Sequence, residues 1–310
     1  MTHHLPTPAD PLKIGTRGSP LAMAQAHETR ARLMAAFALP VEAFEIVVIK
    51  VTGDLIQDRA LKDIGGKGLF TREIEDALLD GSIDIAVHSM KDMPVAQPEG
   101  LVIDCYLPRE DVRDAFVALG VPGLSALPQG AVVGSSSLRR RAQLLVRRPD
   151  LQLVEFRGNV QTRMRKLQEG VAAATFLAMA GLNRLDMTVG QIAIEAEEML
   201  PAVAQGCIGV ERRAADERTG EMLAAIHHYD TGLRLVAERA FLDRLDGSCQ
   251  TPIAGLAVLD GDLWLRGEIL RPDGSQAIAS DLRGPATDGA AIGRALADEL
   301  LGQAGPGFFG

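Results

Sequence analysis

The segment AVVGSSSLRR, at Ala131–Arg140, joins a short apolar strand directly to the start of an arginine-bearing helix. A helix N-terminus presents unpaired N–H groups and a partial positive charge, so it favours anions, and guanidinium groups suit carboxylates and phosphates. The same passage from an apolar strand into basic, Ser or Gly residues and then a helix is predicted at LKIGTRGSPLA (Leu12–Ala22), IDIAVHSMKDMP (Ile83–Pro94), LQLVEFRGN (Leu151–Asn159) and ATFLAMAGLNRL (Ala174–Leu185). Strands alternating with helices predict an α/β fold whose ligand lies beyond the carboxyl ends of the strands. We expect that ligand to carry several negative charges.

Length and charge narrow the class of protein. A chain of 310 residues predicts two or three domains. The net charge of −9 and the 4% of aromatic residues argue against a nucleic-acid or membrane binder. Residues 135–166 nevertheless hold nine basic and two acidic side chains. A solvated basic face is the plain alternative, but its coincidence with strand-to-helix junctions favours anion binding.

The three cysteines, Cys105, Cys207 and Cys249, share no metal-ligand spacing and cannot all pair, so neither a disulfide framework nor a metal site is predicted. The first eleven residues lack a basic and apolar leader pattern. No apolar run approaches the roughly 18–20 residues of a membrane span. We expect a cytoplasmic location.

A charged connector at 108–114 separates two similar segments of alternating strands and helices. The last part of the chain has a different pattern. Turns at Asp260-Gly261 and Asp273-Gly274 between alternating segments predict antiparallel hairpins. The predicted domains are an α/β domain of residues 11–107 and 207–225, an Arg-rich α/β domain of residues 113–201, and an α+β domain of residues 229–310. A cleft between the first two is expected to hold the ligand.

Several basic residues are candidates for binding that ligand. GGKGLFT does not match the Walker phosphate-loop pattern, so Lys67 is interpreted as part of a flexible glycine loop. Successive helical residues turn by about 100°, so Arg139, Arg140 and Arg141 cannot all face one ligand. The first two, nearest the helix start, are favoured. The remaining candidates, each equally consistent with a surface arginine, are Arg157, Arg163 and Arg184.

HSMKD, residues 88–92, ends a predicted buried strand. His88 is interpreted as a structural histidine. Lys91 and Asp92 form an adjacent cation and carboxylate, of which one could bind an anion while the other handles protons or a developing positive charge. In GSCQTP, Cys249 is an available loop thiol or an incidental free cysteine, whereas Cys105 and Cys207 have apolar neighbours that predict burial.

Nine ordered motifs closely resemble those of the porphobilinogen deaminase (hydroxymethylbilane synthase) family. They are TRGSPLA (Thr16–Ala22), GGKGLF (Gly65–Phe70), DIAVHSMKDMP (Asp84–Pro94), REDVRDAF (Arg109–Phe116), VGSSSLRR (Val133–Arg140), FRGNVQTR (Phe156–Arg163), LAMAGLNRL (Leu177–Leu185), PAVAQG (Pro201–Gly206) and GSCQTPI (Gly247–Ile253). The resemblance implies two α/β domains of the type II periplasmic-binding-protein kind and a C-terminal α+β domain with a small antiparallel sheet.

The resemblance also implies a transferase of tetrapyrrole and heme biosynthesis, usually a monomer. Such an enzyme condenses four porphobilinogen molecules head to tail, with loss of ammonia, onto a dipyrromethane cofactor held by a thioether at Cys249. Hydrolysis then releases hydroxymethylbilane. The alternative is a non-catalytic small-anion binding protein of the same two-lobed fold. A ligand-sensing regulator is a third possibility, but no helix-turn-helix segment is visible.

Carried over by motif, Asp92 is the catalytic carboxylate and Lys67 belongs to a mobile loop. The residues implied to bind cofactor and substrate carboxylates are Arg17, Ser19, Lys91, Arg139, Arg140, Arg157, Arg163 and Arg184. The chain departs from the family where Asp63, preceded by Lys62, replaces a common lysine, so a role for that lysine is not expected here. Ala173 and Ala204 replace a usual aspartate and glycine and are interpreted as scaffold changes.

Overall fold

The computed structural model describes residues 4–51, 71–247 and 251–309. The predicted functional residues Lys67 and Cys249, and the departure at Asp63, lie outside these ranges. The described residues form two compact units. The first unit contains 4–51, 71–110 and 207–232, and the second contains 111–206, 233–247 and 251–309.

The described secondary structure contains both strands and helices before the C-terminal part, with no α-helix between residues 89 and 132. The strands are β1 (Leu12–Arg17), β2 (Phe44–Ile49), β3 (Ile85–Ser89), β4 (Leu101–Tyr106), β5 (Asp114–Ala118), β6 (Val132–Gly134), β7 (Gln152–Val154), β8 (Ala174–Ala178), β9 (Ile192–Ile194), β10 (Ile208–Arg213), β11 (Ile253–Asp260), β12 (Asp262–Leu270) and β13 (Ala277–Gly284). The helices are α1 (Pro20–Phe37), α2 (Arg72–Leu79), α3 (Leu138–Arg147), α4 (Val160–Gln168), α5 (Met179–Arg184), α6 (Glu217–Ala224), α7 (Tyr229–Arg244) and α8 (Gly289–Ala304). Among the described residues, no helix is long and apolar enough to cross a membrane.

The first unit is built on a five-stranded sheet in the order β2-β1-β3-β10-β4. β1 pairs in parallel with both β2 and β3, whereas β10 runs antiparallel to β3 and β4. Helix α1 buries Leu33 in one apolar cluster with Ile14 and Val87, and α2 buries Ile74 in another with Ala86. The parallel pairing brings the carboxyl ends of β1 and β3 side by side.

The junction after β1 confirms the sequence prediction, whereas the junction after β3 differs from it. Ser19 caps α1 because its side chain accepts a hydrogen bond from the Ala22 N–H, and Pro20 starts the helix. After β3 the chain makes only a single 3-10 turn, Met90–Asp92, rather than an α-helix. Pro94 disfavours α conformation at the residue before it, and Met93 is accordingly extended.

The second unit contains a five-stranded sheet of the same strand order, β7-β6-β8-β5-β9, again with one antiparallel strand, β5, in the fourth position. Ser137 and Asn159 cap α3 and α4 by accepting hydrogen bonds from the Arg140 and Thr162 N–H groups. The predicted passage from strand to helix is therefore confirmed at both junctions.

The C-terminal sheet, β11-β12-β13, is antiparallel throughout and lies in the same unit. Gly261 and Gly274 have φ values of 74° and 73° at the two hairpin turns, which is the left-handed region that a glycine tolerates best. The predicted fold class is confirmed: α/β sheets with one antiparallel strand each, and a small C-terminal antiparallel sheet. The three predicted domain boundaries stay predictions.

Gly293 of α8 lies against the backbone of α7. A Cβ built at Gly293 would lie 2.8 Å from the Phe241 nitrogen and would overlap the Ala237 carbonyl oxygen. We expect Gly293→Ala to lower the free energy of unfolding by about 1–3 kcal/mol, since backbone cannot move aside cheaply. Urea denaturation measures this change.

The same helix provides the control. Nothing lies within 4 Å of a Cβ built at Gly302. Gly302→Ala should leave stability unchanged or raise it by about 0.5–1 kcal/mol, because alanine favours a helix over glycine. Equal effects at the two positions would contradict the close packing of α7 and α8.

Candidate active site

A pocket of about 110 Å³ lies in the first unit at the carboxyl ends of β1 and β3. Three of the predicted site residues line it, namely Arg17, Ser19 and Asp92. Arg17 is the last residue of β1, Ser19 caps α1, and Asp92 ends the turn after β3. Adjacent parallel strands bring these residues together. Lys91, which is half-buried, precedes Asp92 in the same turn.

Two neutral side chains form a hydrogen-bonded pair in the pocket wall. Gln25 Nε2 donates to Ser89 Oγ at 2.8 Å, and the Ser89 hydroxyl lies 3.1 Å from Gln25 Oε1. Both residues line the pocket beside Asp92. This arrangement places one carboxylate, one guanidinium and neutral hydrogen-bonding groups around a single small space.

His88 also lines the pocket and is almost completely buried. Its Nε2 lies 3.0 Å from Glu211 Oε2, and the Glu211 side chain is fully buried. His88 therefore has a buried hydrogen-bond partner, and its interpretation as a structural histidine stays a prediction. Sequence reasoning missed Glu211, because it stands 123 residues further along the chain.

In the second unit, Arg139 and Arg140 share one buried carboxylate. Asp114, the first residue of β5, accepts from Arg139 Nη1 at 2.6 Å and from Arg140 Nη2 at 2.7 Å. Gln205 Nε2 donates to it at 2.9 Å. Burial alone would raise the pKa of Asp114, but the charges and hydrogen bonds of the two arginines outweigh burial and hold that pKa well below its ordinary value.

Arg139 is tied to the C-terminal sheet through one further side chain. Its Nη1 donates to Gln143 Oε1 at 3.0 Å, and Gln143 Nε2 donates to Glu268 Oε2 of β12 at 2.6 Å. Glu268 and Gln143 are both buried. The two predicted arginines are thus held within a polar network that also contains two acidic residues, Asp114 and Glu268.

Arg163 lies in a more cationic environment. Its Nη1 donates to the Phe176 carbonyl at 3.2 Å, and Arg140 Nη1 donates to the same oxygen at 3.0 Å. Burial, with the charges of Arg140 and Arg157, lowers the pKa of Arg163 to about 10. Repulsion among these guanidinium groups would be relieved by a bound carboxylate.

Arg184, at the end of α5, donates from Nη2 to the Gly206 carbonyl at 3.1 Å.

The two described cysteines are not exposed thiols. Cys105 and Cys207 are buried, and burial raises the pKa of the Cys105 thiol to about 12. Their predicted inertness agrees with this environment. Within the part of the chain that the structure describes, no group of three or more His, Cys, Asp or Glu residues could hold a metal ion.

Comparison with known proteins is decisive for the family. The family model "Porphobilinogen deaminase, dipyromethane cofactor binding domain" matches residues 12–221, and "Porphobilinogen deaminase, C-terminal domain" matches residues 233–302. The chain belongs to the porphobilinogen deaminase family. It is 72% identical to the porphobilinogen deaminase of Paracoccus denitrificans (strain Pd 1222) over 98% of each chain. It is 54% identical to the chloroplastic porphobilinogen deaminase of Pisum sativum, over 96% of this chain and 83% of that protein.

Similarity to solved structures is more distant. The periplasmic aliphatic sulphonate binding protein SsuA from Escherichia coli matches with a TM-score of 0.40 and 17% identity, over 76% of this chain and 68% of that one. A similarity at this level assigns no function.

Membership of the porphobilinogen deaminase family makes this chain a transferase with a dipyrromethane cofactor. The residues of the second unit fit such a cofactor, because its carboxylates are the anions that the crowded guanidinium groups of Arg140, Arg157 and Arg163 favour. The arginines that sequence reasoning selected are therefore chemically suited to the group. Sequence reasoning did not predict the polar partners of these arginines, Asp114, Gln143 and Glu268. Of the three, only Asp114 could have been noticed, because it is an acidic residue within the REDVRDAF motif.

Proposed function

We propose that this chain deaminates porphobilinogen and condenses four molecules head to tail on its dipyrromethane cofactor, then releases hydroxymethylbilane by hydrolysis. The observation that best supports the proposal is the pocket that holds Asp92 with Arg17 and Ser19. It offers one carboxylate for a positive charge, and a guanidinium and a hydroxyl for the carboxylates of the substrate. When bound, the cofactor supplies the pyrrole carbon to which substrate rings are added.

Asp92 is proposed to stabilise the positive charge that develops as ammonia leaves the aminomethyl group of porphobilinogen. A preorganised carboxylate is most effective against a charge that arises only along the reaction path. Asp92 would also accept a proton as each new carbon–carbon bond is completed. Its position at a strand end in the pocket wall supports both roles.

The carboxylates of substrate and cofactor are proposed to bind to basic and hydroxyl side chains. Arg139 and Arg140 already share the carboxylate of Asp114, which compensates part of their positive charge. They would therefore bind a ligand carboxylate mainly through oriented N–H donors. Arg163 contributes a guanidinium group whose pKa is lowered by burial and by the charges of Arg140 and Arg157. The full proposed set is Arg17, Ser19, Lys91, Arg139, Arg140, Arg157, Arg163 and Arg184.

Three further parts of the proposal rest on the sequence motifs. Cys249 carries the cofactor through a thioether, and the glycine-containing segment with Lys67 serves the site. The protein acts as a cytoplasmic monomer, without nucleic-acid or membrane partners and without a metal. The rival function, reversible binding of a small anion, needs no covalent adduct.

Intact mass tests the cofactor attachment. We expect the denatured protein to exceed its sequence mass by two linked pyrrole units, and peptide mapping to place the addition on the Cys249 peptide. Peptides with Cys105 and Cys207 serve as internal controls, since both thiols are buried and should be unmodified. An active protein of unmodified mass would contradict the proposed attachment. Reversible anion binding without activity would favour the rival function.

A further inference from the structure

Three polar side chains, His88, Glu211 and Glu75, interrupt the apolar layer between the first sheet and α2. Ala86 packs in a cluster with Ile74 and Leu78 of α2. Side chains two residues apart on a strand share a face, so His88 projects from the same face of β3 as Ala86. There it meets Glu211 of β10, and Glu75 of α2 lies nearby in the same layer. The end of the layer next to the pocket is therefore polar.

His88, Glu211 and Glu75 are side-chain types that can accept and donate protons. Glu211 uses Oε2 for His88, and its buried Oε1 has no hydrogen-bond partner among the described residues. Burial raises the pKa of Glu75, and the charge of Glu211 raises it further. Two buried carboxylates near each other disfavour simultaneous ionisation. The imidazole and the two carboxylates thus lie together, and one buried acceptor oxygen of Glu211 stays open.

A purely structural role explains this arrangement poorly. Well-packed apolar residues often replace a buried ion pair at no cost in stability, and an unpartnered buried oxygen is itself destabilising. The group also lies beside the pocket, since His88 lines the same space as Asp92. The position favours a chemical role.

We propose that His88 relays protons for the reaction at Asp92, with Glu211 orienting the imidazole and Glu75 sharing the stored proton. This inference rests on the proposed function. Each condensation releases one molecule of ammonia and one proton. Asp92 takes that proton from carbon and passes it to one imidazole nitrogen, while Nε2 passes its own proton to Glu211. The reverse transfers then return the proton through Asp92 to the released ammonia, which leaves as ammonium, so the relay is reset for the next condensation. Only protons move in the relay, so no oxidant or reductant is needed.

Charged groups on every neighbouring element set the pH range of such a relay. Glu211 faces His88 from β10, and Glu75 lies on α2. Arg17 at the end of β1 and Asp92 in the turn after β3 line the pocket with His88. A change at any of these positions should therefore shift the pH profile of turnover.

The test compares His88→Gln and Glu75→Gln with the unsubstituted holoenzyme. His88→Gln should lower kcat about 100-fold, the lower end of the range for general acid–base catalysis, with KM changed less than about twofold. Glu75→Gln keeps a hydrogen-bonding side chain and removes one proton site, so kcat should fall less and the pH profile should lose an ionisation. Both should show a larger solvent deuterium isotope effect, and added imidazole should restore part of the rate of His88→Gln.

His228→Gln is the matched control. His228 is a half-buried histidine of the same unit whose Nδ1 lies 2.8 Å from Thr231 Oγ1, outside the pocket lining. Its kcat and pH profile should match those of the unsubstituted protein. If His88→Gln does not fold, the pH profile and isotope effect of Glu75→Gln decide the question.

Three outcomes would overturn the relay. The first is an unchanged kcat and pH profile in Glu75→Gln together with an unchanged kcat in folded His88→Gln. The second is a rise in KM alone. The third is an unsubstituted protein that loads its cofactor yet makes no hydroxymethylbilane, which would overturn the proposed function and the relay with it. Normal product formation with unaffected variants would overturn only the relay.

Discussion

Replacing Asp92 with Asn is expected to lower turnover about 10³-fold while the cofactor stays attached. Removing one preorganised electrostatic group from an active site costs about 10²–10³ in kcat, and Asp92 is also the proposed proton acceptor. Asn has nearly the same shape and no charge, so the pocket should keep its form. Steady-state formation of hydroxymethylbilane measures the loss, and intact mass reports the cofactor.

The control for this variant is Asp230→Asn. Asp230 is an exposed carboxylate of the first unit, at the start of α7 and outside the pocket lining. Its removal should leave turnover unchanged. Near-normal product formation by Asp92→Asn would rule out the role assigned to this carboxylate.

Replacing Asp114 with Asn is expected to destabilise the second unit by about 3–5 kcal/mol, the usual cost of removing one partner from a buried ion pair. Two nearly buried guanidinium groups, on Arg139 and Arg140, would lose their shared counter-charge. Urea denaturation measures the change. Asp150→Asn, which removes the partner of the partly exposed Arg148, should change stability little.

Acid should reproduce the effect of Asp114→Asn. Because the pKa of Asp114 is held far below its ordinary value in the folded protein, its stabilising contribution is complete above the unfolded value of about 3.9. That contribution is lost as the pH falls below about 4 towards the folded pKa. Asp114→Asn should therefore lose less stability between pH 5 and pH 3 than the unsubstituted protein. An equal loss in both would contradict the prediction.

Local features of the fold could be predicted from short stretches of sequence. The predicted strand-to-helix junctions at Ser19, Ser137 and Asn159 formed, because a capping side chain bonds to an N–H only two or three residues away. Hairpins at Gly261 and Gly274 followed from turn chemistry alone. The helix predicted after β3 was wrong. A single 3-10 turn forms there, because a proline two residues beyond the turn outweighed the helical pattern.

The partners of the candidate site residues could not be predicted in this way. Asp114 lies 25 residues before Arg139, and Glu268 lies 125 residues beyond Gln143. No local spacing relates such pairs. The basic stretch was predicted to bind an external anion, yet Arg139 and Arg140 are held by an acidic residue of the same unit.

The amino-acid sequence alone determined the α/β class, the strand-to-helix junctions after β1, β6 and β7, the antiparallel C-terminal hairpins and the resemblance to the porphobilinogen deaminase family. Periodicity, capping and turn formation act over a few residues, so they can be read directly from the chain. Only the tertiary structure decided which charges are compensated and which carboxylate lies against His88. Sheet pairing and burial bring distant residues together and remove them from water, and both effects depend on the whole folded unit.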